Sequence, residues 1–515
     1  MKYMVIFAGM KGNNCFVYIL SLLASILVPA VSDAQQGWTL DWEGRAYLNG
    51  STAGYLPFWQ RTGYDGIIPN SSSAVLTAGA DLKYASPGGI YFQAGANLVG
   101  QAFTASPWNS RGVKGLVDRL YVSGGWRMLH LDVGMKPRVR EFGDLSITGG
   151  NIVFTGNARN IPGLNAWSDW IYFEKGHWFG IRGNFAHYQT FDNRYVDGLM
   201  IHNKSFAFKV ALGRKVDFEA GLDHWAQWGG TDPVLGKRPS SFKDYMRVIL
   251  GRRGGDDATL SDQLNALGNH LGREYLRLTW HPSAFSLILQ YDMPFEDGGQ
   301  IIKTNPMPDG VYTLKLSLNE RKAWVTDIVY EFVHTTWQGG EIHDRPATEE
   351  EMTKEYDKYV YWQDPDHYFY GKIVEGGLDD YFNNGEYRSG WTYFGRAVGL
   401  PLMIPRAPGK DGMTMGYICN RVRAHHLGIQ GLAWSVPYSF KATYSSNWGR
   451  YSGNEATVFN SRPKQLSLAL EVSLSEQVTR IPLTFIIGAY GDFGQVYPDS
   501  AGLSLRLIYG GSRSL

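Results

Sequence analysis

The chain has 515 residues, 44 % of them hydrophobic and 19 % charged, below the roughly 25 % charge usual for soluble domains. Its 31 Tyr, 17 Trp and 62 Gly against 22 Pro are unlike a disordered chain and fit an all-β protein with many turns. The formal net charge is only +1, so no global field draws the chain to nucleic acid or to a polyanion, and any charge selectivity must be local.

Residues 16–30 (FVYILSLLASILVPA) are apolar apart from two serines, with Lys11 before them and the small residues of Ser32-Asp33-Ala34 after them. This reads as a secretory signal peptide over residues 1–34, too short for a retained spanning helix of about 20 apolar residues. Residues 35–515 then form one domain, because no Ser/Gly/Pro-rich spacer or charge block offers a cut. Removing Lys2, Lys11 and Asp33 leaves the exported chain formally neutral. Cys419 is its one remaining cysteine, so an intramolecular disulfide is excluded.

From Trp38 the period is two. Trp38, Leu40, Trp42, Ala46 and Leu48 share one face, and Asp41, Glu43, Arg45 and Tyr47 the other. The alternation returns at 76–84, 90–102, 129–140, 216–222, 285–291, 466–474, 481–489 and 503–509, and it predicts strands with one apolar and one polar face. Many of these segments are about ten residues long, the length a tilted strand needs to cross hydrocarbon. Charges occupy the polar face even in mid-strand. Trp and Tyr gather at segment ends, among them Tyr84, Trp170, Trp280, Trp324, Tyr444 and Trp448, as they do at membrane interfaces. An exported chain without a spanning helix crosses lipid only as a closed barrel. The fold class expected is therefore all-β, a transmembrane antiparallel barrel in the outer membrane, with an even count of roughly 16 to 18 strands and long outer loops.

Two inserts break the alternation. Residues 256–271 carry leucines at 260, 264, 267 and 271 with Ser261 as a cap, and predict a short helix. Residues 347–361 predict a second, with acids in its first turn. Residues 364–390 read as a long outer loop. The end, LSLRLIYGGSRSL, places six residues after Tyr509, whereas many outer-membrane barrels finish on a terminal aromatic.

Three constellations bear on function. Lys136, Arg138 and Arg140 line up on one predicted strand, and Arg421, Arg423 and His425 on another, against Val422 and Ala424. If these face the lumen, two basic ladders either hold an acidic sugar chain by charge-assisted hydrogen bonds or form an internal ion-pair network with Asp132, Glu141 or loop acids. Trp362, Tyr368, Phe369, Tyr370, Tyr381, Tyr387 and Trp391, read as exposed, either stack on pyranose faces or pack within their own loops. Asp364, Asp366 and His367 have metal-like chemistry but no metal-loop spacing, so neither metal nor cofactor is expected. Hydrolase and phosphate-loop motifs are missing, which leaves no catalytic residue to name.

Residues 144–162, DLSITGGNIVFTGNARNIP, resemble the segment of the Wzi capsule-assembly family that reads roughly Gly/Ser-rich, apolar strand, then Ser/Thr-Gly-Asn-Ala-Arg-x-Ile-Pro. That resemblance implies an outer-membrane barrel of about 18 strands, acting without catalysis as a lectin-like receptor that helps attach capsular polysaccharide to the cell surface. With the residue patterns it gives a ligand-binding set of Arg138, Arg140, Asn157, Arg159, Arg421, Arg423 and Trp391. The partners expected are an extracellular polysaccharide and outer-membrane lipid, with no nucleic acid, and the barrel is read as a monomer. The alternative is a pore that exports a polymer or admits small solutes. Residues 149–164 are then the connection between two wall strands, with Asn157 and Arg159 either plug residues or part of a ligand site.

Overall fold

The computed structural model describes residues 37–106, 110–173, 176–296, 309–338, 345–346, 359–362, 371–374, 379–451 and 457–515. The leader and residues 364, 366–370 lie outside this set. The alternating segments pair in sequence order into a closed antiparallel barrel of 18 wall strands. These are β1 (Trp38–Ser51), β2 (Ser73–Ala85), β3 (Ile90–Phe103), β4 (Gly112–Trp126), β5 (Leu129–Met135), β6 (Gly163–Ser168, continued by Ile171–Tyr172), β7 (Phe179–Gln189), β8 (Met200–Ala211) and β9 (Val216–Trp228). The second half comprises β10 (Asn269–Trp280), β11 (Phe285–Phe295), β12 (Gly310–Leu318), β13 (Asp327–His334), β14 (Arg421–Ala433), β15 (Val436–Gly449), β16 (Lys464–Leu474), β17 (Thr484–Gly494) and β18 (Ser500–Ser514).

Closure runs from Thr39↔Ser514 to Ser51↔Gly502 between β1 and β18. The residues after Tyr509 therefore extend the last strand, and Tyr509 packs edge-on against Trp42 on the outside wall. Pairing β18 with β1 closes the sheet, so the strand ladders satisfy most of the wall backbone, which is the condition for crossing lipid. The outside carries the apolar face: Leu76, Leu131, Leu276 and Leu503 are each about half exposed or more.

Connections alternate between short and long. Trp434 and Ser435, both at positive φ, make the two-residue turn from β14 to β15, the backbone that such a hairpin requires. The start of β1 and the end of β18 lie at this short-turn end. At the opposite end sit the loops 52–72, 136–162, 229–268 and the described part of 335–420. Three of these fold into the lumen. Phe58 and Trp59, then Ile147, Ile152, Val153 and Ile161, then Phe382, Trp391, Leu400, Met403 and Tyr417 join inward wall residues such as Tyr188, Trp225, Val333 and Val422 in one buried core. The hydrophobic core of this barrel is thus its contents, with lipid-facing side chains outside.

The fourth loop behaves differently. Residues 229–268 turn back over the outside of β7 to β10. Their helix α1 (Phe242–Ile249) is held by a reciprocal Ser241/Asp244 capping box. Tyr245 of α1 packs on His187, His202 and Trp228, which alternation places on the outward face. The helix expected over 256–271 shrinks to α2 (Leu260–Leu264), capped by Thr259 instead of Ser261, because residues 269–271 are already strand paired with β9. Of the helix expected over 347–361, residues 359–361 are extended within Tyr359–Trp362, and 347–358 lie outside the described residues.

Candidate functional site

The stretch that resembles a family motif lies in the loop after β5, and its polar composition follows from what it must satisfy. Glu331 on β13, with no exposed surface, accepts from Ser146 Oγ at 2.8 Å, Ile147 N at 2.6 Å and Thr148 Oγ1 at 2.7 Å. Asp292 on β11 accepts from Ile152 N at 3.0 Å and from the guanidinium of Arg273 at 2.9 Å, and Arg273 also donates to Gly150 O at 2.7 Å. His426 on β14 reaches Leu145 O at 2.7 Å. An irregular backbone at membrane depth is tolerated only where protein groups pair it in this way.

Gly156 and the polar residues of TGNARNIP then each have a place. Thr155 Oγ1 donates to Gly399 O at 2.9 Å, and Asn157 Nδ2 to Ala397 O at 3.1 Å, which fastens this loop to the long loop 335–420. Gly156, at φ +75°, brings its backbone against Asp65 and Arg140, where a Cβ would stand 3.1 Å from the Asp65 carboxylate. Arg159 donates to Val117 O at 2.9 Å and lies 4.2 Å from the Phe394 ring centroid. Asn160 Nδ2 donates to Asp118 O at 3.4 Å.

Above this seat, at the long-loop end, is a cavity of about 300 Å³. Its lining includes Arg61, Lys114, Arg159, Arg396 and Arg406, the rings of Phe103, Phe394 and Tyr497, and Asn157, with no carboxylate among the described lining residues. The side chains of Arg61, Lys114 and Arg159 each sit over a ring, Tyr497, Phe103 and Phe394 respectively. Arg396 donates to Arg61 O at 3.0 Å, to Asn70 Oδ1 at 3.1 Å and to Ile68 O. All three acceptors are neutral. Burial, and secondarily the positive charge of Arg61, pulls the Arg396 guanidinium down to about 9; burial also holds Arg159 below its ordinary value. Among the described residues neither has a carboxylate within ion-pair distance. This vestibule is a cationic, aromatic-walled cup whose charge an incoming anion would neutralise.

A second cavity, also about 300 Å³, lies beneath the seat and is lined by Lys136, Arg138, Arg140, Asn151, Trp167 and Tyr188 together with Asp65 and Asp132. Two of its three cations are already matched by carboxylates. Lys136 pairs with Asp132 at 2.7 Å, and Arg140 with Asp144 at 3.1 Å and Asp65 at 3.6 Å.

No family model matches the sequence, and no curated protein matches it. Among solved structures, the chain is similar to Wzi of Escherichia coli, described as an outer-membrane protein involved in group 1 capsule assembly and a carbohydrate-binding β-barrel. The match has a TM-score of 0.51 at 12 % identity over 95 % of this chain and 87 % of that one. The chain is an outer-membrane β-barrel with the fold of Wzi. OpdK of Pseudomonas aeruginosa (TM-score 0.44, 9 % identity, 92 % of this chain and 99 % of that one) and OccAB4 of Acinetobacter baumannii (0.43, 9 %, 93 % and 99 %) are more distant barrels.

Within this Wzi-fold barrel the residues singled out by sequence divide. Asn157 and Arg159 meet in the outer vestibule. Arg138 and Arg140 do not belong to a wall strand, because β5 ends at Met135. Arg138 instead lies in a cage, 4.3 Å from the Trp225 ring and 4.7 Å from Phe154, and donates to Tyr188 OH at 2.7 Å. Arg421 and Arg423 face outward, and it is Val422, Ala424 and His426 that are buried inside. Trp391 is not exposed: at 2 % it is core, as are Tyr381 and Tyr387. Trp170 turns into the lumen, where Arg182 and Lys209 lie 4.6 Å from its ring. Sequence reading missed Arg61, Lys114, Arg396 and Arg406, which come from two separate loops and β4, and which no local spacing brings together.

Two measurable consequences follow from these contacts. Trp391→Ala empties a full indole volume from the core, costing about 3–5 kcal/mol locally, so amide exchange across 381–403 should accelerate while the wall stays protected. Burial pushes the Asp65 carboxyl up to about 7, against the opposing charge of Arg140. Because its folded value is raised above 3.8, its stabilisation is complete below that pH and is lost as pH rises through 7. Protection of the Asp65 amide, which donates to Gly156 O, relative to its intrinsic exchange rate should therefore fall between pH 5 and 8, and Asp65→Asn should flatten that fall.

Proposed function

We propose that this outer-membrane barrel binds an acidic surface polysaccharide in its outer vestibule and helps hold it at the cell surface, without chemical change to the sugar. The observation that carries this reading is the five-cation vestibule with no carboxylate in its described lining. Rings at its wall add faces on which sugar rings stack, and guanidiniums supply charge-assisted donors for uronate or other acidic groups. The vestibule opens at the long-loop end, where an external polymer arrives. The fold shared with a carbohydrate-binding barrel agrees with this reading.

Filling of the lumen by three loops speaks against the pore reading. The inner cavity is the poorer ligand site because Lys136 and Arg140 are already paired with carboxylates and Arg138 is enclosed by Tyr188, Asn203 and aromatic rings. In the cell, deletion of the protein is expected to lower surface-retained polysaccharide with the total produced unchanged. An unchanged surface fraction would contradict the proposal, and a fall in total polymer would point to export instead.

A further inference from the structure

The outward turn of Arg421 and Arg423 leaves these residues without a role in the vestibule, and the register shows what surrounds them. On the outside wall, cross-strand neighbours Tyr291, Tyr312, Phe332, His425 and Tyr444 form a continuous row over β11 to β15. Rings in this row contact one another, Tyr291 stacking on Tyr312 at 4.7 Å and Phe332 lying 5.0 Å from His425. This is the aromatic belt that marks the outer boundary of hydrocarbon. The next outward-facing row is two residues further toward the long loops, about 7 Å on. It reads His334, Arg423, Ser446 and Lys464. Arg423 and Lys464 are exposed and stand two strands apart, roughly 10 Å. Arg462, also exposed, joins them, and it and Arg423 flank one indole, at 5.4 and 5.6 Å from the Trp448 ring. Among the described residues no carboxylate pairs with Arg423, Arg462 or Lys464: Asp309 lies 3.1 Å from His334 of the same row and accepts from the Trp337 and Gln338 amides, and Asp499 accepts from that of Gly494.

We infer that Arg423, Arg462 and Lys464 with Trp448 form a lipid-phosphate site on the outside wall, which holds a phosphorylated, multiply acylated glycolipid of the outer leaflet. Its acyl chains continue down the apolar face below the aromatic belt, and its phosphates meet the cations immediately above. Charge complementarity and continuity with the lipid-facing wall both favour this occupant over a protein partner. The site is independent of the vestibule and does not rest on the polysaccharide reading.

The test uses the full-length protein in detergent, offered bis-phosphorylated lipid A or the same lipid with both phosphates removed, with retention read by native mass spectrometry. The phosphorylated lipid should be retained at least about tenfold better, because three surface cations meet its phosphates. Millimolar inorganic phosphate should not displace it. The triple variant Arg423→Ser, Arg462→Ser, Lys464→Ser should lose the preference. Equal retention of the two lipids by the native protein would overturn the inference whatever the variant does. So would displacement by free phosphate, or a preference that persists in the folded variant.

Discussion

A barrel in which residues 146–158 are replaced by a short Gly-Ser linker is expected to conduct ions in a planar bilayer at least about tenfold better than the native protein, because an 18-stranded wall without contents encloses a water-filled channel. The deletion removes more than its own volume. Ile152, Thr155 and Asn157 are the floor on which loop 335–420 rests, through Leu400 N to Ile152 O at 2.9 Å and the bonds to Gly399 and Ala397. The wall should survive, since its ladder closes independently of the loop. A milder version is Glu331→Ala. It orphans three buried donors, each costing about 1–3 kcal/mol, and should raise amide exchange at 146–150 before any channel opens. A deletion variant that folds, migrates as a closed barrel and still conducts no better than native would show that the other two loops suffice to fill the lumen.

The second large effect concerns the vestibule. Arg159→Ser with Arg396→Ser is expected to weaken binding of an acidic polysaccharide by two orders of magnitude. Hydrogen bonds to charged groups contribute about 1.5–3 kcal/mol each, and about 1.4 kcal/mol is a factor of ten. Arg159 is the cleaner half of the pair, donating to Val117 O, whereas Arg396 also ties Arg61, Ile68 and Asn70 together. Lys114→Ser, at an exposed position, should lose less than either. Arg423→Ser should leave the affinity unchanged, because that side chain is on the outside wall. A double variant that binds as tightly as native, or an Arg423→Ser variant that binds as weakly as the double, would refute the assignment.

How much of this was legible in the sequence depends on which physical signal each residue carries. Period two identifies strands and separates two faces, and from β1 to β5 the apolar face is indeed the lipid face. The same rule fails near the outer end of β14. There the lumen holds an apolar plug and the outside reaches the polar interface, so Val422 and Ala424 face in and Arg423 faces out. Sequence alternation cannot see what fills a barrel. Trp391 was misjudged for a related reason: its surroundings are polar in sequence, but its loop folds into the core instead of over the surface. Residues 155–162 were legible as an irregular polar connection because Gly, Asn and Pro report backbone need directly. The vestibule was not, because Arg61, Lys114, Arg159, Arg396 and Arg406 share no spacing and are gathered only when separate loops enter the barrel together. The packing of residues 229–268 on the outside wall was equally hidden, although the Ser241/Asp244 box that starts its helix is a readable signal.

The most direct test is calorimetric titration of the native protein with an acidic polysaccharide fragment and with the same fragment after its carboxyl groups are reduced to alcohols. Tight binding of the acidic form that weakens steeply with salt, and at least a tenfold loss on reduction, is the expected result. Equal affinity for both forms, or binding of neither, would contradict a vestibule built to hold an acidic sugar chain.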